Sequence, residues 1–402
     1  MRREQTEFLR RALILAVFAL SVRIFGAAIL GEGSPFGPDG TGAEAAVFLG
    51  GHPYPMHIAL LRFFEADAVG LSMASGAFSC VLLWWWGQRV GVGGAGGWLA
   101  ATLPLAVLPG VLSAGDAPAI SVALMGVLLS TAGPRWTLLG GALAAACVTV
   151  KPIALPCLVL LLARPNSLVG AVGVLALLRG FIRPLWAPMP DGGLLGTWWV
   201  SSEGRPPVEW ISWLIEGAAQ LVSVESWGLV WVLVLSAVVA TVSQGETRMR
   251  VAGLGPLVAA WLIGCMFGGR MEARYLSGVM LVCLPFVGPL LRSPVRLVPA
   301  VMMLLWPTMA LLTQLSSVRA ELDAEAQIPQ VPVVSWPSVD ARPIFYACST
   351  EDATHLRNMA LQLAAVAPQG STIVTEALPD GREGELFWPL RVLRPDLKFQ
   401  SR

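Results

Sequence analysis

A long series of apolar segments, separated by short polar turns, is the feature that most constrains how this chain can fold. A helix that crosses a membrane needs about 20 predominantly apolar residues. Eleven segments come close to that length, and two of them are short and meet at Lys151-Pro152. The segments are residues 11–30, 68–87, 94–113, 116–131, 136–150, 153–163, 167–182, 225–243, 251–268, 275–291 and 297–317.

The composition agrees with this pattern. Of the 402 residues, 55% are hydrophobic and only 13% are charged, which is typical of a polytopic membrane protein. The formal net charge of +1 gives no reason to expect nucleic acid as a partner. We therefore predict an all-α polytopic membrane bundle of about 11 transmembrane helices. The short segments 136–150 and 153–163 are either two tilted or partial spans or one long broken element.

The distribution of arginine predicts an orientation, because short cytoplasmic loops of membrane proteins are enriched in basic residues. With the N-terminal arginines in the cytoplasm, every short cytoplasmic turn carries arginine: Arg89, Arg135, Arg164, Arg248 with Arg250, and Arg292 with Arg296. We expect a multi-pass protein of the plasma (inner) membrane. Its N-terminus is cytoplasmic and its C-terminus is extracytoplasmic.

The same orientation places a second set of ionisable residues at the extracytoplasmic face: Asp39, Glu44, Asp116, Lys151, Arg183, Arg270, Glu272 and Arg274. Basic residues are expected to be scarce on this face. Ionisable residues at membrane depth are costly and therefore indicate function. The carboxylates can take a proton or bind a metal, and the basic side chains can hold an anion.

Each carboxylate also has a structural interpretation. Asp39 lies in a Pro-Asp-Gly sequence typical of a turn, and Glu44 suits the cap of a following helix. Asp116 precedes Ala-Pro-Ala, which is a good start for a helix with Asp as its N-cap. Lys151 is either a lysine that extends to the membrane interface or an anion-binding residue at a helix break. These alternatives stay open at the level of the sequence.

The last part of the chain is more polar. We predict a transmembrane domain over residues 1–317, a linker over 318–342 and a small extracytoplasmic α/β domain over 343–402. Residues 343–347 and 371–375 have the pattern of strands, and 351–366 that of an amphipathic helix. A second short amphipathic helix is predicted at 55–65, before the second span.

Four motifs on the predicted extracytoplasmic face, taken together, resemble the GT-C class of polyprenyl-phosphate-dependent membrane glycosyltransferases, which includes protein O-mannosyltransferases and lipid A aminoarabinose transferases. The motifs are an acidic first loop with a Gly/Pro re-entry (Pro38-Asp39-Gly40 through Gly50-Gly51-His52-Pro53-Tyr54-Pro55), Asp116-Ala117-Pro118, Lys151-Pro152 and Arg274-Tyr275. The resemblance covers residues 1–317. In contrast to the pattern common in that class, Gly40 follows Asp39 and the second acid of the loop is Glu44.

The resemblance implies inverting transfer of a sugar from a polyprenyl-phosphate carrier to a lipid, glycan or protein acceptor. It implies catalytic roles for Asp39, Glu44 and Asp116, with Asp39 or Glu44 as the base. It also implies binding of the donor phosphate by Lys151, Arg270, Arg274 and Tyr275, and an acceptor pocket with His52 and Tyr54. Whether a divalent metal takes part stays open.

Two other functions use the same residues. A transporter or flippase of a lipid-linked or anionic substrate would line its path with these charges, but such proteins usually contain repeated broken helices. The sequence shows one break, at Lys151-Pro152. A non-catalytic relative that binds partners through its tail is the third possibility.

Overall fold

A computed structural model describes residues 2–30, 55–111, 115–186, 273–287, 361–362, 364–375 and 388–401 of the chain. These residues are mostly helical. One described helix, Ala68–Val90, is long and apolar enough to cross a membrane by its length and composition. The predictions for Asp39, Glu44, His52, Tyr54 and Arg270 lie outside the described residues.

We number the elements in chain order. The α-helices are α1 Arg2–Leu30, α2 Pro55–Phe63, α3 Ala68–Val90, α4 Ala95–Thr102, α5 Pro104–Val107, α6 Asp116–Ser130, α7 Pro134–Ala145, α8 Ser167–Trp186, α9 Ala273–Val287 and α10 Trp388–Leu393. The 3-10 helices are η1 Leu108–Gly110, η2 Ala146–Thr149 and η3 Pro152–Ala163. The strands are β1 Thr372–Thr375 and β2 Lys398–Ser401.

The ends of α3 show how local sequence sets an element. The carboxylate of Asp67 accepts a hydrogen bond of 2.8 Å from the Gly70 amide, which satisfies one of the orphan donors of the first turn. At the other end Gly91 has φ of 87°, the left-handed conformation that favours glycine after a helix. Between these caps the helix is mostly apolar, and 12 of its 23 residues are buried in the bundle.

Two predicted spans differ from simple helices. Segment 94–113 is broken before Pro104, because proline lacks an amide hydrogen and disfavours the helical conformation of the preceding residue. Segment 153–163 lies within η3, a 3-10 helix that contains Pro156. A 3-10 helix rises about 2.0 Å per residue, so the 12 residues of η3 extend about 24 Å, against about 18 Å as an α-helix.

The helices run back and forth between two ends of a bundle. The ring of Phe8 in α1 packs 4.8 Å from that of Trp84, so the start of α1 lies beside the end of α3. The chain then returns through α4 to η1, where Gly110 lies against Gly76 in the first half of α3. We call the end that contains Arg89 the arginine end, and the opposite end, where α6 begins, the Asp116 end.

Arg23 is buried in the middle of this packing, with only 1% of its surface exposed. Its guanidinium donates hydrogen bonds to the carbonyl oxygens of Ala19 at 3.0 Å and of Ala106 at 3.4 Å. Gly76 and Gly110 lie directly against it and leave room for the side chain. Ala106 belongs to the segment that is broken before Pro104. Arg23 therefore supplies a hydrogen bond to a backbone carbonyl oxygen in a segment that is not one continuous helix.

The described C-terminal residues form a small unit that contacts the bundle. Strands β1 and β2 pair in parallel, and β1 lies within residues 371–375, for which the sequence predicts a strand. Arg394 donates hydrogen bonds to the carboxylate of Asp396 and to the carbonyl oxygen of Ala364. The second bond joins the residues that follow α10 to the residues that precede β1. The Arg394 guanidinium, together with the Gly370 amide, holds the pKa of Asp396 well below its usual range. The α/β domain over 343–402 as a whole stays a prediction.

Candidate functional site

An ion pair between Lys151 and Asp116 forms the centre of the candidate site. The Lys151 Nζ atom lies 2.9 Å from Oδ1 of Asp116. The Lys151 side chain is 13% exposed and that of Asp116 is 1% exposed. Such a pair is costly to desolvate, so its presence in the interior is weak evidence that it stabilises the fold.

The backbone positions both partners at helix starts. Lys151 has φ of −167° and ψ of 133°, the extended conformation imposed on a residue that precedes proline. The predicted helix break at Lys151-Pro152 is therefore present, and Lys151 is the residue at the break. Asp116 is the first residue of α6 and follows Gly115, whose φ of 70° lets the chain turn into the helix.

The structure corrects one interpretation of Asp116. The N-cap of α6 is Gly115, and no side chain makes a capping hydrogen bond there. The Asp116 carboxylate instead faces Lys151, and its Oδ2 atom has no hydrogen-bond partner within the described residues. The carboxylate therefore pairs with a lysine from another element and does not cap its own helix.

His57 is the third member of the site, and the sequence did not single it out as a site residue. It lies on α2, is 2% exposed, and is close enough to Lys151 and Asp116 for both charges to act on it. Burial and the positive charge of Lys151 lower the pKa of His57 to about 4, although Asp116 acts in the opposite direction. His57 is therefore neutral near neutral pH.

One signal in the sequence could have identified His57. The predicted amphipathic helix at 55–65 is present as α2, and His57, Ile58 and Leu61 are its buried residues. In the sequence, His57 falls on the same side of this predicted helix as Ile58 and Leu61, and a histidine on an apolar side is the signal. The helix also contacts η2, which ends at Thr149, two residues before Lys151.

The three side chains offer a defined chemistry. The Lys151 ammonium has three N–H donors, of which the Asp116 carboxylate takes one at a distance of 2.9 Å. The neutral imidazole of His57 can donate or accept a hydrogen bond without adding charge. Within the described residues, no group of three or more His, Cys, Asp or Glu side chains could hold a metal ion.

Arg274 and Tyr275 lie in the first turn of α9. A side chain on Gly96 at the start of α4 would meet the backbone of Pro285, so the last part of α9 lies at the arginine end. Because an α-helix rises 1.5 Å per residue, Arg274 lies about 16 Å from Pro285 along the axis. The first turn of α9 is thus directed toward the Asp116 end.

A cavity of about 660 Å³ lies elsewhere, between the turn that joins α6 to α7 and the turn that joins η3 to α8. Thr131, Arg164 and Asn166 are among its lining residues, which include neither Asp116 nor Lys151. It lies at the arginine end and does not belong to the candidate site.

The candidate site therefore contains, in the described part of the chain, one lysine, one aspartate and one neutral histidine at one end of a helical bundle. Its formal charge is zero, because the charges of Lys151 and Asp116 balance and His57 is neutral. Comparisons with protein-family models, with curated proteins and with solved structures found no match to this chain.

Proposed function

We propose that this chain is an integral-membrane glycosyltransferase. It moves a sugar from a polyprenyl-phosphate carrier to an acceptor at the extracytoplasmic face, with inversion at the anomeric carbon. The observation that carries the proposal is the buried ion pair of Lys151 and Asp116 at a helix break. The proposed protein is multi-pass, with about 11 spans, a cytoplasmic N-terminus and a small extracytoplasmic C-terminal α/β domain.

The energetics of the pair support a role in binding. Replacing a buried ion pair by apolar residues of similar volume is often neutral or stabilising. A bundle that needed only stability at this position has no need of a buried ion pair. A fixed ammonium, in contrast, is useful where negative charge develops on a leaving phosphate.

The arrangement of charges in the bundle gives further support. Arg89 lies at one end, while Asp116 and Lys151 lie at the other. The C-terminal unit contacts α2, which carries His57 of the site. In the proposed orientation the arginine end faces the cytoplasm, and both the site and the C-terminal unit lie outside.

The proposed reaction needs a base and a set of cations. Asp39 or Glu44 takes the proton of the acceptor hydroxyl as its oxygen bonds to the anomeric carbon. The bond between that carbon and the phosphate oxygen breaks, and polyprenyl phosphate leaves with the electron pair. Because the leaving group gains negative charge, Lys151, Arg270 and Arg274 stabilise it.

The remaining predicted residues complete the proposed site. In this proposal Asp116 keeps the Lys151 ammonium in place. Tyr275 lies beside Arg274 in the donor region, and His52 and Tyr54 border the acceptor. The donor is a polyprenyl-phosphate-linked sugar, and the acceptor is a lipid, a glycan or a protein.

The experiment is an assay of the purified full chain in proteoliposomes with a panel of polyprenyl-phosphate-linked hexoses and pentoses and an extract of envelope acceptors. A glycosyltransferase releases free polyprenyl phosphate in proportion to the sugar that it transfers. Movement of intact donor across the bilayer without release would instead identify a flippase. Lys151→Met is the test variant, and Lys398→Met, in β2, is the matched control.

A further inference from the structure

The C-terminal unit contacts α2, the helix that carries His57 of the candidate site. The Nε atom of Arg62, in the last turn of α2, donates a hydrogen bond of 2.9 Å to the carbonyl oxygen of Val392 in α10. Arg62 and Val392 are far apart in the chain, so this bond joins the C-terminal unit to α2, the helix that precedes α3. It is partly buried, which limits competition from water.

An apolar contact accompanies this bond. Val392 is 1% exposed and packs in a cluster with Ile58 and Leu61 of α2 and with Ala68 and Leu71 of α3. Burying a valine side chain contributes about 1.5 kcal/mol or more relative to leaving it exposed. Val392 is therefore the buried residue that the C-terminal unit contributes to this cluster. The other buried members belong to α2 and α3.

Helix α2 also carries His57, whose pKa is affected by the charges of Lys151 and Asp116. Helix α2 has only nine residues, so it is too short to be stable without tertiary contacts. Its position over the ion pair depends on what packs against it. Those contacts include α10, η2 and the start of α3.

We infer that Arg62 and Val392 are positioning residues, through which the C-terminal unit holds α2, and with it His57, closed over the Lys151–Asp116 pair. Residues 364–370 and 394–396 form the base of this clamp, since Arg394 bonds the Ala364 and Ala367 carbonyls while Asp396 accepts from the Gly370 amide. When the clamp opens, α2 leaves the pair and His57 meets water. The clamp's role in sugar transfer rests on the proposed function; the clamp itself does not.

The test measures the accessibility of His57 and needs no substrate. The full chain in detergent is treated with diethyl pyrocarbonate, which modifies accessible neutral imidazoles, and each modified histidine peptide is quantified by mass spectrometry. His52 and His57 lie on the same tryptic peptide, so fragment ions from tandem mass spectrometry assign the modification to His57. The unfolded chain gives the reference rate for full exposure.

We expect His57 to be protected in the wild type and modified about tenfold faster in Arg62→Gln and in Val392→Ser, because a lost contact of about 1.4 kcal/mol raises the open population tenfold. Val392→Leu keeps an apolar side chain and retains protection. Two matched controls should behave as the wild type. They are Arg89→Gln, in the last turn of α3, and Val366→Ser, a residue that is 75% exposed in the C-terminal unit.

Buried thiols distinguish local opening from unfolding. Cys283, in α9, is buried within the bundle and should stay unreactive toward N-ethylmaleimide in every variant. Unchanged protection of His57 in both Arg62→Gln and Val392→Ser would overturn the inference. Simultaneous exposure of Cys283 in these variants would also overturn it, because the contact would then support the whole bundle. Failure of the sugar-transfer assay would leave this result unaffected.

Discussion

The ammonium of Lys151 lies 2.9 Å from a carboxylate oxygen of Asp116, and neither side chain is appreciably exposed to solvent. Each residue stands at the start of a helix, Asp116 at the beginning of α6 and Lys151 immediately before η3. The pair therefore links two helix starts at the same end of the bundle. That link places two residues, predicted separately from different motifs, in one site.

Breaking this pair from one side should be strongly destabilising. Asp116→Asn or Lys151→Met leaves a buried charge without its partner, which costs about 3–5 kcal/mol. The double variant Asp116→Asn/Lys151→Met removes both charges and should be more stable than either single variant. Thermal unfolding in detergent, arranged as a double-mutant cycle, measures the coupling. Additive losses would show that the two side chains do not depend on one another.

The titration of His57 makes stability depend on pH. Burial and the charge of Lys151 lower the pKa of His57 to about 4, while Asp116 acts to raise it. Between about pH 6.5 and about pH 4, the unfolded chain binds a proton at His57 that the native chain does not bind. The free energy of unfolding therefore falls as the pH falls through this range.

The expected loss from this residue is about 2 kcal/mol between about pH 7.5 and about pH 5. His57→Gln removes the titrating group and should reduce the difference between unfolding midpoints at the two pH values. The same pH dependence in His57→Gln and the wild type would assign the effect to other groups.

The packing of Arg23 predicts a strict requirement for glycine beside it. A β-carbon on Gly76 would lie 2.5 Å from the Nε atom of Arg23 and 2.8 Å from the Cα atom of Gly110. Gly76→Ala should therefore destabilise the bundle by about 1–3 kcal/mol through overpacking. Gly173→Ala, in α8, is the control, because nothing lies within 4 Å of a β-carbon there. That variant should be neutral or more stable by up to about 1 kcal/mol.

The general architecture was accessible from the sequence because hydrophobic segments and prolines act locally. Helices at segments 11–30, 68–87 and 116–131 are present, and so is the break at Lys151. The change to a 3-10 helix over η3 could not be predicted, since an apolar segment of that length suits either helix type. The eleven spans and their orientation stay predictions.

The site was accessible only in part. Asp116 and Lys151 were predicted from their charge in apolar surroundings, and the structure brings them together. Their direct pairing depends on contacts between helices distant in sequence, which no local pattern encodes. The burial of Arg23 was missed for the same reason, because its neighbours Gly76 and Gly110 come from other segments.

The identity of the base can be tested by substitution in the first loop. Asp39→Asn should lower the rate of sugar transfer by about 10²–10⁴-fold if Asp39 takes the acceptor proton, because general base catalysis contributes about that much. Glu44→Gln is the comparison, and the larger loss identifies the base. Wild-type transfer by both variants, at normal protein levels in membranes, would exclude either acid from that role.

The most direct test of the account is the steady-state transfer of sugar from a polyprenyl-phosphate donor by Lys151→Met and by Lys398→Met, the only two lysine positions in the chain. We predict that Lys151→Met lowers kcat/KM by about 10²–10³-fold, as expected for the loss of a group that stabilises developing charge. Lys398→Met should match the wild type. Wild-type kcat/KM in a folded Lys151→Met protein would contradict the central claim that the buried lysine stabilises the leaving phosphate.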